Sequence, residues 1–353
     1  MFKLQDYDYK LPEELIAQGP AAQRDQSRLL VVDRNSDRLT PRKFYEIYDL
    51  LSSSDLMVVN NTKVIPGRLF GRKKTGGKVE VLIIDYAGAD RTENDNGRFV
   101  CECLIKSSKS PKIGTSIYFD QGLTARVIHR QDAVFTLEFV FSGNFESLLY
   151  QIGNVPLPPY VKRSHGDLSV DDRISYQTVY ASHKGAIAAP TAGLHFSKKL
   201  LEKIESKGIR IVAITLHVSY GTFLPVRVSD IRDHNIHSEW YHIPAKTADA
   251  INRWKASGGR IVAVGTTCVR TLEYAADERG NIAHGSGNCD IFIYPGYKFK
   301  AIDALLTNFH LPQSTLLMLV AAFAGRKKIL KAYRAAIDKG YRFYSYGDAM
   351  YII

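Results

Sequence analysis

The spacing of apolar positions changes twice along the chain. Over residues 1–65, two apolar strand candidates, 28–33 and 56–60, flank a helix-like stretch at 45–51. From Pro66-Gly67 to about Gly143, short runs follow one another across Gly-rich turns: 78–85, 98–105, 116–119, 123–129 and 133–141. In the last run Phe135, Leu137, Phe139 and Phe141 share one face and Thr136 and Glu138 the other, the two-residue period of a half-buried strand. Many short strands at such intervals predict a small antiparallel barrel or sandwich. After a helix-like stretch at 146–151, Val155-Pro156-Leu157-Pro158-Pro159-Tyr160 is too proline-rich for either element and reads as a linker into a polar loop, 162–172.

Beyond that loop, helical and strand spacing alternate. Ser197 is placed to cap a helix with an apolar stripe of Leu200, Leu201 and Ile204, stopped by Gly208 and followed by a strand at 209–216. Thr247 is placed to cap a second helix, with Ala250, Ile251 and Trp254 inward, ended by Gly258-Gly259 and followed by a strand at 260–265. A strand at 290–294, helices at 314–324 and 327–338, and a last strand near Arg342 complete the set. The pattern predicts an α/β main domain with a covered, largely parallel mixed sheet. Residues 1–65 and 151–353 would form this discontinuous catalytic domain, with 66–150 inserted as the β domain.

Composition narrows the class. At 353 residues the chain exceeds a typical single core, in keeping with two domains. Its longest apolar run, 316–324, is far short of the ~20 residues of a membrane helix, and the N-terminal residues lack the apolar core of a signal peptide. Cys101, Cys103, Cys268 and Cys289 show neither metal spacing nor a disulfide framework. The expectation is a cytoplasmic monomer with no membrane partner. An excess of 47 Lys+Arg over 36 Asp+Glu, net +11, favours a polyanionic partner. Arg68, Arg72, Lys73 and Lys74, then Lys78, and a second group of Lys106, Lys109 and Lys112 are the candidate phosphate contacts; solvated turns are the plainer reading of the same residues.

In α/β sheets, ligands bind beyond the carboxyl ends of strands, so the residues following each strand are where chemistry is to be sought. One such turn, Gly265-Thr266-Thr267-Cys268-Val269-Arg270, offers hydroxyls and free amides at a helix start; it is neither G-x-G-x-x-G nor a P-loop. Another follows the strand at 209–216 and begins His217-Val218-Ser219-Tyr220-Gly221. Four further patches concentrate polar groups: Ala189 to Phe196 with His195, His234 to Glu239, Asp303 to His310, and Tyr344 to Asp348. The H-x-x-H-x-E spacing at His234 is not the H-E-x-x-H pattern of a zinc helix, and no cysteine joins it, so no metal is expected.

Taken in order, these patches resemble one family, the S-adenosylmethionine:tRNA ribosyltransferase-isomerases of queuosine synthesis. The resemblance runs end to end. It is carried by Asp6-Tyr7-Asp8-Tyr9, Arg24-Asp25 with Ser27-Arg28-Leu29-Leu30, Gly76-Gly77-Lys78-Val79-Glu80 and Pro156-Leu157-Pro158-Pro159-Tyr160. The C-terminal half carries the more specific motifs: Ala189-Pro190-Thr191-Ala192-Gly193-Leu194-His195-Phe196, Gly265-Thr266-Thr267, Thr307-Asn308-Phe309-His310-Leu311-Pro312 and Tyr346-Gly347-Asp348-Ala349-Met350.

The resemblance implies an α/β body with an inserted β-barrel. It also implies a reaction in which the ribosyl portion of S-adenosylmethionine passes to 7-aminomethyl-7-deazaguanine at the tRNA wobble position, giving epoxyqueuosine, adenine and methionine. S-adenosylmethionine is then a consumed co-substrate, and no cofactor is expected. The chain departs from the family pattern at Asn61 and Lys63, where Asp and Arg are expected, and at Ser219-Tyr220, Ile236 and Cys268. An amide is neither acid nor base, so Asn61 is excluded from proton transfer. Such a reaction needs a base for the carbon beside the sulfonium, stabilisation of the opening ribose and a proton for adenine. His195, His237, Glu239, Asp303 and His310 are the candidates for that work. Thr191, Gly193, Gly265, Thr266, Thr267, Arg270 and Asn308 are the candidate donor-binding residues. The rival readings are an S-adenosylmethionine-dependent tRNA methyltransferase and a non-catalytic RNA-binding protein.

Overall fold

The computed structural model describes residues 2–92, 96–163, 170–223 and 226–353; positions 164–169 of the polar loop lie outside the described residues. The N-terminal part supplies β1 (Arg28–Val32), β2 (Leu39–Lys43), the short α1 (Ile47–Leu50), β3 (Asp55–Asn60) and β4 (Thr62–Val64). Then come β5 (Arg68–Lys73), β6 (Lys78–Ile83), β7 (Asp90–Thr92), β8 (Asn96–Ser107), β9 (Ser116–Tyr118), β10 (Thr124–Gln131) and β11 (Val134–Ser142). The rest of the chain carries α2 (Phe145–Ile152), α3 (Asp172–Ser175), β12 (His183–Ala186), α4 (Lys198–Ser206), β13 (Arg210–Leu216), β14 (Glu239–Ile243) and α5 (Ala245–Ala256). It ends with β15 (Arg260–Val264), α6 (Thr266–Ala275), β16 (Gly285–Cys289), β17 (Ala304–Asn308), α7 (Thr315–Ala324), α8 (Arg326–Asp338) and β18 (Ala349–Ile352).

Nine strands form the main sheet in the order β16-β14-β13-β3-β15-β17-β18-β1-β2. Its centre, β13-β3-β15-β17, is parallel. One flank, β14 and β16, is antiparallel; the other is mixed, with β18 antiparallel to β17 but parallel to β1. Alternate residues of the central strands face opposite layers. Leu56, Val58, Ile261, Ala263 and Leu305 pack with Ile251 of α5, Val269 and Leu272 of α6 and Met318 of α7. Met57, Val59, Val262, Val264 and Leu306 pack with Ile47 of α1 and Leu200 and Ile204 of α4. Burial on both faces is why these strands read as continuous apolar runs.

The β segment closes into a six-stranded antiparallel barrel. β11-β10-β9-β5-β6-β8 form the ring, β11 pairs back onto β8, and β7 adds to β8. Phe99, Phe139 and Leu137 fill it, with Phe145 of α2 stacked on Phe99 at 4.2 Å.

Five local expectations change. The basic run from Arg68 is a strand rather than a turn, with Leu69 buried and Arg68, Phe70 and Arg72 alternating outward. The apolar residues 290–294 are not a strand; β16 takes the ladder beside β14, while Phe292 and Tyr294 meet each other at 5.1 Å. The last strand is β18, not the segment near Arg342, because Tyr344 adopts φ +70° and breaks the extended chain. Thr247 lies inside α5, whose N-cap is Pro244, and its hydroxyl donates to the Ala213 carbonyl at 2.9 Å. The segment 304–308, part of a polar patch in the sequence, is the buried strand β17. Ser197, by contrast, caps α4 as expected, accepting from the Leu200 amide at 3.1 Å. No helix among the described residues is long and apolar enough to cross a membrane.

Candidate active site

A cleft opens where β15 and β17 end. Thr266 and Thr267 line it from the start of α6, reached through Gly265, whose φ of +88° is a conformation L side chains rarely adopt. Thr307, Asn308, Phe309 and His310 line it from the end of β17, and Ala189, Pro190, Thr191 and Ala192 from the turn before α4. Val218, Tyr160, Tyr344 and Ser345 also line it, as do Leu311, Ser314 and Leu316 around the start of α7. A second cavity adjoins it at Ser345 and is lined by Arg24, Ser27, His195, Arg342 and Tyr346.

Two histidines stand at this junction in different circumstances. His310 is buried on the cleft wall, its Nε2 2.8 Å from the Thr307 hydroxyl. Its backbone is clamped: the amide donates to Tyr333 Oη at 2.9 Å, and the Tyr9 hydroxyl donates to its carbonyl. Nδ1 has no protein partner among the described residues. Desolvation pushes its pKa down to about 3, so the ring is neutral near pH 7. His195 has both nitrogens engaged, with Ser27 Oγ at 2.8 Å from Nδ1 and Asn308 Nδ2 at 3.2 Å from Nε2. The ring stacks on Phe44 at 4.9 Å, and desolvation lowers its pKa to about 4.

Among the described residues, two buried polar atoms with no protein partner belong to the cleft: Asn308 Oδ1 and Thr267 Oγ1. A buried polar atom left unpaired costs roughly 1–3 kcal/mol, which a ligand hydrogen bond would recover. Gly193 sits behind the wall, where a Cβ would stand 2.1 Å from Tyr180 Oη; the position tolerates no side chain without displacing that ring.

Other expected site residues are placed elsewhere. Asp303 precedes β17, at the end of the strand opposite the cleft and roughly 15 Å away along it. It is exposed, its carboxylate accepting from the Ile261 amide at 2.7 Å. Glu239 and Arg270 form a buried ion pair with each other. Glu239 also accepts from the Ser219 amide at 2.8 Å, and Arg270 donates to the carbonyls of Cys289 and Ile291. Their charges and hydrogen-bonding capacity are turned inward, so Arg270 is not free to hold a carboxylate, nor Glu239 to act as a base. His237 is exposed against Gly221, outside the cleft. Asn61 accepts from the Thr215 hydroxyl at 2.7 Å, a structural role. Among the described residues no group of three His, Cys, Asp or Glu is arranged to hold a metal.

On the barrel, Arg68 is ion-paired with Glu80 at 2.7 Å, whereas Arg72 and Lys74 are exposed. Lys73 Nζ donates to the Lys109 carbonyl at 2.7 Å, bringing the two basic groups of the sequence together.

Ser27, Tyr9 and Tyr160 are site residues that the sequence does not single out. The motifs containing them are visible, but their partners lie more than a hundred residues away and nothing local announces the contact. Tyr160 donates to or accepts from Ser345 Oγ at 2.7 Å, and burial raises its pKa to about 12.

A family model described as queuosine biosynthesis protein matches residues 4–352. An S-adenosylmethionine:tRNA ribosyltransferase-isomerase of Trichlorobacter lovleyi is 52% identical over 354 residues, covering 99% of each chain. One of Geotalea uraniireducens is 51% identical over 351 residues, again 99% of each. The crystal structure of an S-adenosylmethionine tRNA ribosyltransferase from Thermotoga maritima is similar with a TM-score of 0.55 and 37% identity, covering 99% of this chain and 100% of that one.

Proposed function

The chain belongs to the queuosine biosynthesis family and is an S-adenosylmethionine:tRNA ribosyltransferase-isomerase, and we propose that the cleft at the ends of β15 and β17 holds its donor. In this reaction the ribosyl portion of S-adenosylmethionine passes to the aminomethyl group of a deazaguanine in tRNA, and adenine and methionine leave. S-adenosylmethionine is consumed, and no cofactor takes part.

The observation that carries the placement is the pairing of two unpartnered buried polar atoms, Asn308 Oδ1 and Thr267 Oγ1, with a neutral imidazole on the same cleft. Asn308, Thr267 and Thr191 hold the donor, while Thr266 and the Gly265 turn offer hydroxyl and amide at the start of α6. His310 is the proton-transfer group. A neutral ring can take the proton from the carbon that the sulfonium acidifies, and its protonated form can return one to departing adenine. The barrel residues Arg72, Lys73 and Lys74 contact tRNA phosphates; Arg68, already neutralised by Glu80, contributes less.

The deciding assay incubates the protein with S-adenosylmethionine and tRNA carrying the aminomethyl-deazaguanine base. Stoichiometric adenine release is expected. S-adenosylhomocysteine formed in its place would make the protein a methyltransferase, and tRNA binding without turnover would make it a binding module.

A further inference from the structure

The Asn308 amide has two partners, and their chemistry determines which way it faces. Its Nδ2 lies 3.0 Å from the Tyr344 carbonyl, which can only accept, so the atom there must be the amide nitrogen. The same NH2 group reaches His195 Nε2 at 3.2 Å, which makes Nε2 the acceptor and puts the imidazole proton on Nδ1. Nδ1 then donates to Ser27 Oγ at 2.8 Å, and the Ser27 hydroxyl donates to the Arg24 carbonyl at 3.3 Å. Every donor along this hydrogen-bond relay, from the Asn308 NH2 to Ser27, has an acceptor; the one side-chain polar atom of the relay left over is Asn308 Oδ1.

The geometry is held at some cost. Tyr344 presents its carbonyl from a left-handed backbone, φ +70°, which a bulky residue rarely adopts. Its amide is tied to the Phe309 carbonyl at 3.1 Å, next to Asn308 in the chain. The neutral state of His195 keeps Nε2 an acceptor across the physiological range, and Phe44 stacks on the ring.

We infer that His195 is a positioning residue rather than a proton-transfer group: with the Tyr344 carbonyl it locks the Asn308 amide so that Oδ1 is offered to an N–H or O–H donor of the nucleoside in the cleft. This rests on the reading that the cleft takes S-adenosylmethionine. The donor is the exocyclic amine of adenine or a ribose hydroxyl.

The test is calorimetric titration of S-adenosylmethionine into the full-length wild type, N308A, H195A, H195Q and the H195A/N308A pair, alongside adenine-release kinetics. N308A and H195A are each expected to weaken binding roughly tenfold, and the double variant no more than N308A alone. KM should rise more than kcat falls, and H195A should keep the wild-type pH profile. H195Q, which retains an acceptor, should recover part of the affinity; it also decides the matter if H195A does not fold. The 6-oxo, 2′-deoxy and 3′-deoxy analogues of S-adenosylmethionine identify the donor, because the analogue lacking it becomes insensitive to N308A.

Wild-type affinity in H195A and H195Q with turnover lost and a pH inflection missing would make His195 a proton-transfer group and overturn the inference. So would losses that multiply in the double variant, or equal sensitivity of all three analogues to N308A. Failure of the wild type to bind S-adenosylmethionine at all removes the functional reading and this inference with it.

Discussion

The barrel and the cleft use polar residues in opposite ways. On the barrel, charged groups alternate outward from a core of aromatic and aliphatic side chains, and Arg72 and Lys74 remain in solvent. At the cleft, polar groups are buried, their partners come from segments far apart in the chain, and desolvation keeps the imidazoles uncharged. A surface charge can be exchanged at little cost to the fold. A buried polar group cannot, because removing one partner leaves the other desolvated and unpaired.

The largest expected effect lies in the body. Glu239→Ala strands the buried Arg270 guanidinium and should cost about 3–5 kcal/mol in urea denaturation; a loss below about 1 kcal/mol would show that the pair is dispensable. Next, His310→Asn should leave the fold intact and slow adenine release by a factor on the order of 100 or more. A variant with near-wild-type turnover removes His310 from proton transfer.

Acid should separate the two regions further. The pKa of His310 is about 3 when folded and that of His195 about 4, both below the ordinary histidine value of 6.5. Between those values and 6.5 the unfolded chain binds more protons than the native one. Stability is therefore full above about pH 6.5 and falls with decreasing pH, by at most about 1.4 kcal/mol per pH unit for each histidine. Denaturation at about pH 7 and about pH 5 should show this loss, and His310→Asn should show a shallower one; identical slopes in the two proteins would contradict it.

The smallest stability effect belongs to the barrel. Arg72→Ala with Lys74→Ala should shift stability by about 0.5 kcal/mol or less. The same pair should lower the slope of log affinity for tRNA against log salt by about 0.9 for each phosphate no longer neutralised. An unchanged slope would place the RNA elsewhere.

The barrel is the more legible region. Alternation such as Phe135-Leu137-Phe139-Phe141 encodes a strand and its inner face locally, so the expected strands lie close to the observed ones. Two strands are not among those expected: the three-residue β7, and β5, which is obscured because its outward residues are basic and one inward position is Gly71, leaving only Leu69 to mark the core face. In the body, Gly265-Thr266-Thr267 and Thr307-Asn308-Phe309-His310 are legible as a site because strand ends in α/β sheets gather ligands. Asp303 groups with His310 only because it is near in sequence. A strand separates residues along its length, and β17, lying between the two, carries Asp303 to the opposite end.

The sequence by itself determined the family, the barrel's inner face, the alternation of helix and strand, and the residue types gathered at the strand ends. Hydrophobic period, turn chemistry and motif order are all properties of neighbouring positions. Tertiary structure alone decided the roles within the site. It paired Glu239 with Arg270, joined Ser27 to His195 across 168 positions, and bent Tyr344 back to hold Asn308. Those roles depend on which buried atoms find partners once distant segments pack, and no local pattern encodes that.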